Sequence, residues 1–418
     1  MIYLTLFRLK TKESFTISEL IYLALLFVGT ILKLINYNSL SFRLVSQVHR
    51  SSRCGLLREL ALPTVKKTLS IHREPRHPNF SLREFEQFLG NRILCIKPYV
   101  SQEERGVLLI KYSESMPLLP YYCDMGRLLD DYTLVFEPSW SGYCTTDTLH
   151  FTKYEQSIFL LSKQSDDFQF ISSLNSNLVP LPMGPCDWVD PSVAEPYLGL
   201  DKRFDIVMNS NWSELKRHHV LFEALSRITV KLRVALIGFE WGGRTKDDIL
   251  DIARFYGVES QLEIFEKISF QEVMAINCQS KMALLLSLKE GSNRAIAEAL
   301  FCDIPAIVLK SHVGGIVENI NQKTGKLIEE KYLAEEIKAM LKSLTSYTPR
   351  KWAVDNISCF VSTKKLNDTL KEDALVYGRE WTKDIVVRTN SPDLRYLDRN
   401  ILPIYHSENN KIMNYVDI

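Results

Sequence analysis

The chain is poor in several features that would each fix a function class. Its formal net charge is only +1 over 418 residues, so charge as a whole argues neither for nor against a polyanionic partner. The eight cysteines (Cys54, Cys95, Cys123, Cys144, Cys186, Cys278, Cys302 and Cys359) stand singly, without a CxxC pair. That speaks against a zinc site or a disulfide framework and for a reducing, cytosolic compartment. No GxGxxG opens a strand-to-helix turn, which disfavours a dinucleotide-binding dehydrogenase. The longest uncharged apolar run, Leu20 to Leu32, is thirteen residues, short of the ~20 that a spanning helix needs.

An apolar content of 46% and a charged content of 24% belong to a folded chain, long enough for two domains. The charge is unevenly spread. Residues 1–80 hold twelve Lys/Arg against four Asp/Glu, a basic arm that suits an anionic membrane surface or nucleic acid. Within it, Leu20 to Ile35 reads either as a helix buried on the first domain or as one lying in a membrane surface, helped by Arg43, Arg50, Arg53, Arg58, Lys66 and Lys67. No convincing signal-peptide cleavage site follows it.

From residue 81 the chain alternates strand, loop and helix. Ser81 to Gly90 has a capping box (Ser81, Glu84) and a helix-stopping glycine. The runs RILCIKP, GVLLIKY, YTLVFEP, QSIFLLS and NLVPLP have the composition of strands buried on both faces. A proline- and aspartate-rich stretch, Gly184 to Arg203, reads as a linker, and after it the alternation resumes from FDIVMN to TGKLI. The expected fold is α/β, with two Rossmann-like domains whose parallel sheets face a central cleft. The expected division is a basic arm at 1–80, domains at 81–198 and 199–345, and a helical tail at 346–418.

Ligands of such sheets bind beyond the carboxyl ends of strands. The loop LKEGSN after KMALLLS places Glu290, Gly291, Ser292 and Asn293 there, ahead of a helix holding Arg294 and Glu298. Helical periodicity puts Glu298 opposite the apolar face of Ile296, Ala299 and Leu300, which by itself reads as a solvated i,i+4 partner of Arg294. The loop NSNWSELKRHH, also between a strand and a helix, offers Lys216 and Arg217 as diphosphate ligands, or simply as solvated surface. His218 and His219 lack a third ligand at metal-binding spacing. Asp130-Asp131 precedes a strand and reads as surface loop, and GFEWGGR as a shaped turn. The segment Trp140 to Cys144 either lines a cleft or packs inside.

The combination resembles the retaining glycosyltransferases of the GT-B fold, specifically glycosyltransferase group 1 (family 4). The resemblance rests on Glu290-Gly291, Glu298 eight residues on, Cys302, the strand Pro305 to Leu309, Gly314-Gly315, Glu318, the TGKLI turn and upstream Lys216, over about Phe204 to Glu330. It implies sugar transfer from a nucleotide-diphosphate sugar to an acceptor hydroxyl, by front-face attack with retention and with no metal. The acceptor would be a glycan, a polysaccharide or a lipid-linked carbohydrate at the cytosolic face of a membrane, with no nucleic-acid partner. Carried over, Glu290 contacts the donor sugar, Glu298 the ribose, and Lys216 the diphosphate with Arg217 as helper. The backbone of Gly291, Ser292, Asn293 and Arg294 faces the sugar and phosphates. This chain departs from the pattern in three places. Ser292-Asn293 replaces an aromatic-glycine pair, Arg294 stands where an apolar residue is common, and Asn211 stands where many members place an arginine. Arg294 could supply the missing charge. The alternative is a GT-B-shaped scaffold without catalysis.

Overall fold

The computed structural model describes residues 15–52, 54–69, 83, 85–86, 92–391 and 396–416. The capping box expected at Ser81 and Glu84, with its closing Gly90, lies outside the described residues. The chain forms two compact units. The first comprises residues 1–182, 371–385 and 400–418, the second residues 183–370 and 386–399. Residues 346–418 are thus divided between the two units, and Gly184 to Arg203, for all its linker-like composition, packs inside the second with Cys186, Trp188 and Val189 buried.

The first unit holds a five-stranded sheet, β1 (Ile93–Lys97), β2 (Gly106–Lys111), β3 (Tyr132–Glu137), β4 (Ile158–Leu161) and β5 (Leu178–Leu181), arranged in sequence order. β2 to β5 pair in parallel, as their continuous apolar runs predict. β1 departs from the all-parallel expectation by pairing antiparallel to β2. The eight residues between them contain only a turn, closed where the Glu104 N–H donates to the Ser101 carbonyl. A parallel return needs a crossover of a dozen or more residues.

Buried charge knits this unit to its distant C-terminal segments. Lys97 Nζ lies 2.9 Å from Glu104 Oε1, both groups almost fully enclosed. The Glu104 carboxylate also accepts from Thr382 N (2.7 Å), Thr382 Oγ1 (2.6 Å) and Lys383 N (3.2 Å). The Trp381 ring covers Lys97 Nζ at 4.3 Å. Among the described residues, the helices Phe15–Leu34, Asn38–Ser51 and Gly55–Leu69 precede the sheet. The first buries Tyr22 and Leu26 in the same core as Phe42 and Val45, and Ser41 Oγ donates to the Gly29 carbonyl at 2.7 Å. Among the described residues no helix is long and apolar enough to cross a membrane.

The second unit holds β6 (Phe204–Asn209), β7 (Val234–Gly238), β8 (Leu262–Glu266), β9 (Ser280–Leu285), β10 (Ala306–Leu309) and β11 (Gly325–Ile328), all paired in parallel. Their order is β11-β10-β9-β6-β7-β8, the doubly wound arrangement. Two apolar clusters flank the sheet, one including Val207, Ala283 and Leu300, the other Ile206, Met282 and Leu221. Side chains alternate between faces along a strand, so neighbouring residues such as Ile206 and Val207 feed opposite clusters. Chain order reverses between β6 and β9, which makes the loops leaving these two strands the flanks of the switch point.

Candidate functional site

The two loops that the sequence singles out leave β6 and β9, the paired strands at the switch point. The β9 loop ends at Asn293, whose side-chain oxygen accepts from Ile296 N at 2.9 Å and so starts the helix Arg294–Phe301. Asn293 Nδ2 turns back to donate to Glu290 Oε2 at 2.9 Å. Ser287 Oγ donates to Glu290 Oε1 at 2.6 Å, and Lys216 Nζ, from the β6 loop, reaches the same oxygen at 2.6 Å. Three donors from three places therefore fix one carboxylate. Burial alone would raise the Glu290 pKa, but the Lys216 charge and the hydrogen bonds from Lys216, Ser287 and Asn293 outweigh it and hold the carboxyl below its usual range. Lys216 and Glu290 each keep roughly a sixth of their side-chain surface exposed, enough for a ligand to reach the pair.

The β6 loop is shaped by close packing. Asn211 Oδ1 accepts from Ser213 Oγ (2.7 Å) and Ser213 N (3.2 Å), bending the chain so that Trp212 is buried over Gly238. A Cβ at Gly238 would meet the Trp212 ring at 2.6 Å and the Ser210 carbonyl at 2.4 Å, so this strand end admits only glycine. Asn211 thus acts on the loop backbone rather than as a lone ligand. His218 is buried, with Nε2 3.2 Å from Ser210 Oγ. Burial first, then the charges of Arg244, Lys216 and His219, lower its pKa to about 3. Among the described residues no cluster of His, Cys, Asp and Glu could hold a metal.

Arg217 departs from its expected role. Its backbone is left-handed (φ 57°), and its guanidinium is almost fully buried, gripping both Glu330 oxygens at 2.7 and 2.8 Å and donating to the Leu286 carbonyl at 3.3 Å. The fork that would hold a diphosphate is spent on a bidentate carboxylate beyond β11. Adjacent residues in a left-handed turn point apart, which separates Lys216 from Arg217.

Glu298 is buried rather than solvated. Its Oε1 accepts from Ser391 Oγ at 2.7 Å and lies 3.3 Å from Arg294 Nε. Periodicity correctly joined Glu298 to Arg294, but the segment 386–391 covers the helix face that looked open. Burial raises the Glu298 pKa, against the opposing Arg294 charge and Ser391 hydrogen bond. Arg294 also donates to the Asn390 carbonyl at 2.8 Å, so its charge is directed to this segment. Gly291 contributes backbone: its carbonyl accepts from Gly315 N at 2.8 Å. Ser292 and Asn293 complete the turn, with Asn293 buried and Ser292 partly exposed.

Ser287 and His312 were missed by the sequence reading. His312 Nδ1 is 2.7 Å from the Ser287 carbonyl, which can only accept, so this nitrogen carries the proton. Burial lowers the His312 pKa despite that hydrogen bond, leaving a neutral ring. Its Nε2 faces Gly314, where a Cβ would meet it at 2.6 Å and the Gly291 carbonyl at 2.8 Å. The ring thus sets Ser287, which sets Glu290, and accounts for the first glycine of the Gly314-Gly315 turn. The available signal was a histidine two residues before a Gly-Gly turn. We expect His312→Ala to lower stability by about 1–3 kcal/mol through loss of a buried hydrogen-bonded ring. His312→Asn, whose amide can reproduce the Nδ1 donor, should restore at least half of that loss in urea unfolding. Equal loss in both variants would reject the anchoring role.

The other singled-out segments stay outside this cluster. Asp131 closes the helix Met125–Asp131 and accepts from the Tyr415 hydroxyl at 2.5 Å. Tyr143 and Cys144 are packed inside the first unit, where Gly142 N and Tyr143 N donate to the Asp167 carboxylate at 2.8 Å.

Residues 196–352 match the family model of glycosyl transferases group 1. Among solved structures, Anabaena HepE in complex with UDP is 14% identical, with a TM-score of 0.50, over 74% of this chain and 82% of that one. Sucrose-phosphate synthase from Thermosynechococcus elongatus is likewise 14% identical, with a TM-score of 0.49, over 77% of this chain and 80% of that one. At such identities the likeness is one of fold. No curated protein sequence gives a significant match. Residues 196–352 are thus similar to the glycosyl transferases of group 1, and the chain has the two α/β units of the GT-B fold.

Proposed function

We propose that the second unit binds a nucleotide-diphosphate sugar. The chain then transfers the sugar, with retention and without a metal, to an acceptor hydroxyl in glycan, polysaccharide or glycolipid synthesis. The observation that carries this reading is the Lys216–Glu290 pair at the switch point, 2.6 Å apart and partly open. Lys216 neutralises the departing diphosphate, exchanging its carboxylate partner for phosphate oxygens. The N–H groups at the start of the helix Arg294–Phe301, with Gly291 and Ser292 before it, add partial positive charge in the same place. Both are arranged before the reaction, so stabilising the leaving group requires little reorganisation. Glu290, released from Lys216, then faces the donor sugar. In this reading Glu298 reaches the ribose only when Ser391 withdraws, because Ser391 now holds its carboxylate.

That closed Glu298, together with the Arg217 fork spent on Glu330, favours a second reading, a scaffold that retains the fold without turnover. A thermal-shift panel of UDP, GDP, ADP, CMP and their sugars distinguishes the two. UDP heads the panel because Anabaena HepE was solved with it. We expect one nucleoside diphosphate to raise Tm by several degrees at 100 times its Kd, a stabilisation of about 2.7 kcal/mol. EDTA should not reduce the shift, and Lys216→Ala should abolish it. No response to any member would reject donor binding, and binding without sugar release or transfer would establish the scaffold.

A further inference from the structure

The turn GFEWGGR, which leaves β7, is built to present one cation. Gly242 and Gly243 take left-handed backbone (φ 64° and 77°), and Trp241 and Arg244 each donate an N–H to the other's carbonyl at 3.3 Å. Thr245 then starts the helix Lys246–Phe255 with a capping box, its N–H donating to Asp248 Oδ2 at 2.8 Å. Arg244 is thereby fixed between a closed turn and a capped helix. Its side chain is half-buried, yet among the described residues none hydrogen-bonds or ion-pairs with its guanidinium.

That guanidinium borders a cavity of about 420 Å³, lined by His219, Arg244, Asp251, Ile252, Phe255 and Tyr256, all within the second unit. The volume suits a small organic ligand. Its walls divide by chemistry. Ile252 and Tyr256 pack on the core of the unit and form an apolar side. The Phe255 ring stands edge-on to Tyr256, with centroids 5.1 Å apart at 90°, and is left 83% exposed. Of the charged groups, Asp251 is paired with Arg254 at 2.5 Å. Arg244 acts on Asp248 only across space, and Asp248 already accepts from Thr245 N and Oγ1. His219 comes from the first turn of the helix His218–Ser226. Burial, then the Arg217 charge, lower its pKa, so the ring is neutral at pH 7 and offers a hydrogen bond without a charge. What remains unmet is one anion for Arg244 and one apolar ring for Phe255 and Tyr256.

We propose that this cavity binds a small aromatic anion, its carboxylate or phosphate on the guanidinium fork of Arg244 and its ring against Phe255 and Tyr256. His219 adds a hydrogen bond to the same end of the ligand. The assignment is independent of the glycosyl-transfer reading, since the cavity shares no residue with the Lys216–Glu290 pair.

The test is calorimetric titration of the full chain with benzoate, phenyl phosphate and benzyl alcohol, with circular dichroism on every variant. At least one of the two anions should bind with a Kd of about 1 mM or tighter. Which of them binds decides between carboxylate and phosphate. Benzyl alcohol has the ring without the charge and should bind at least about tenfold more weakly. Arg244→Ala should weaken the anion about tenfold or more, and Arg244→Lys, which restores the charge but not the fork, should recover part of that loss. Phe255→Ala should weaken it about fivefold with an unchanged spectrum, because the ring is exposed in the free protein. Lys216→Ala should bind the anion as tightly as the wild type. The proposal is overturned if neither anion binds, or if Arg244→Ala binds as well as the wild type. It is equally overturned if Lys216→Ala abolishes binding, which would move the anion to the donor pair.

Discussion

Glu290→Gln is expected to lower sugar transfer by about 10²–10³-fold while shifting Tm by no more than a few degrees. The donor is the nucleotide sugar selected by thermal shift. Glutamine is isosteric, and its amide oxygen can still accept from Ser287 or Asn293, so the β9 loop keeps its path. What disappears is the negative charge that orients Lys216 Nζ at 2.6 Å and, in the proposed reaction, faces the sugar. Lys216→Met removes the other half of the pair and should cost a similar factor. Because the two residues act as one unit, the double variant should be little worse than either single change. Undiminished transfer in Glu290→Gln would remove this carboxylate from the reaction.

The second large effect lies in the other unit. Glu104→Ala should destabilise it by about 3–5 kcal/mol, because removing one member of a buried ion pair strands the other. Lys97 would retain the Arg105 carbonyl at 2.9 Å, the face of Trp381 and the charge of Asp384. Three donors from Thr382 and Lys383 would lose their acceptor as well. The pair Lys97→Met with Glu104→Leu should recover most of the loss, since apolar replacements of similar size leave no buried charge. The same contact predicts a pH dependence. Burial acts to raise the Glu104 pKa, but the hydrogen bonds from Thr382, Lys97 and Lys383 prevail and lower it from 4.5 to about 2. A depressed carboxyl pKa means the folded form binds its proton less readily than the unfolded form. Its stabilisation is therefore complete above 4.5 and is lost as pH falls from there toward 2. Urea unfolding across that range should show a steeper loss in the wild type than in Glu104→Leu with Lys97→Met, and parallel curves would refute the assignment.

The elements of the second unit were legible because each carries a local signal. β6 coincides with FDIVMN, and the helix expected after the LKEGSN loop begins at Arg294. The antiparallel β1 was not legible from its composition, since a strand buried on both faces looks the same in either direction. The loop of eight residues after it was the better guide. Lys216 and Glu290 meet because both stand in loops that leave the paired strands β6 and β9, a placement legible in the sequence. Glu298 and Arg217 were read less well because their partners, Ser391 and Glu330, lie 93 and 113 residues further along the chain. Helical periodicity reports what a helix offers its own neighbours and carries no information about a strand or loop that arrives later. His312 escaped for the same reason, because its role exists only once Ser287 is folded beside it.

The way the chain is apportioned between its units bears on the order in which they can form during synthesis. The first unit contains residues 371–385 and 400–418, including the helix Leu402–Asn410, so it is completed only after the whole of the second unit has been synthesised. The second unit closes with residues 386–399 and is completed before the first, although it begins later. The usual N-terminal-first order of domain folding is therefore inverted here. A nascent chain stalled near residue 365 would carry two sheets and no Thr382, leaving the charges of Lys97 and Glu104 without their cover.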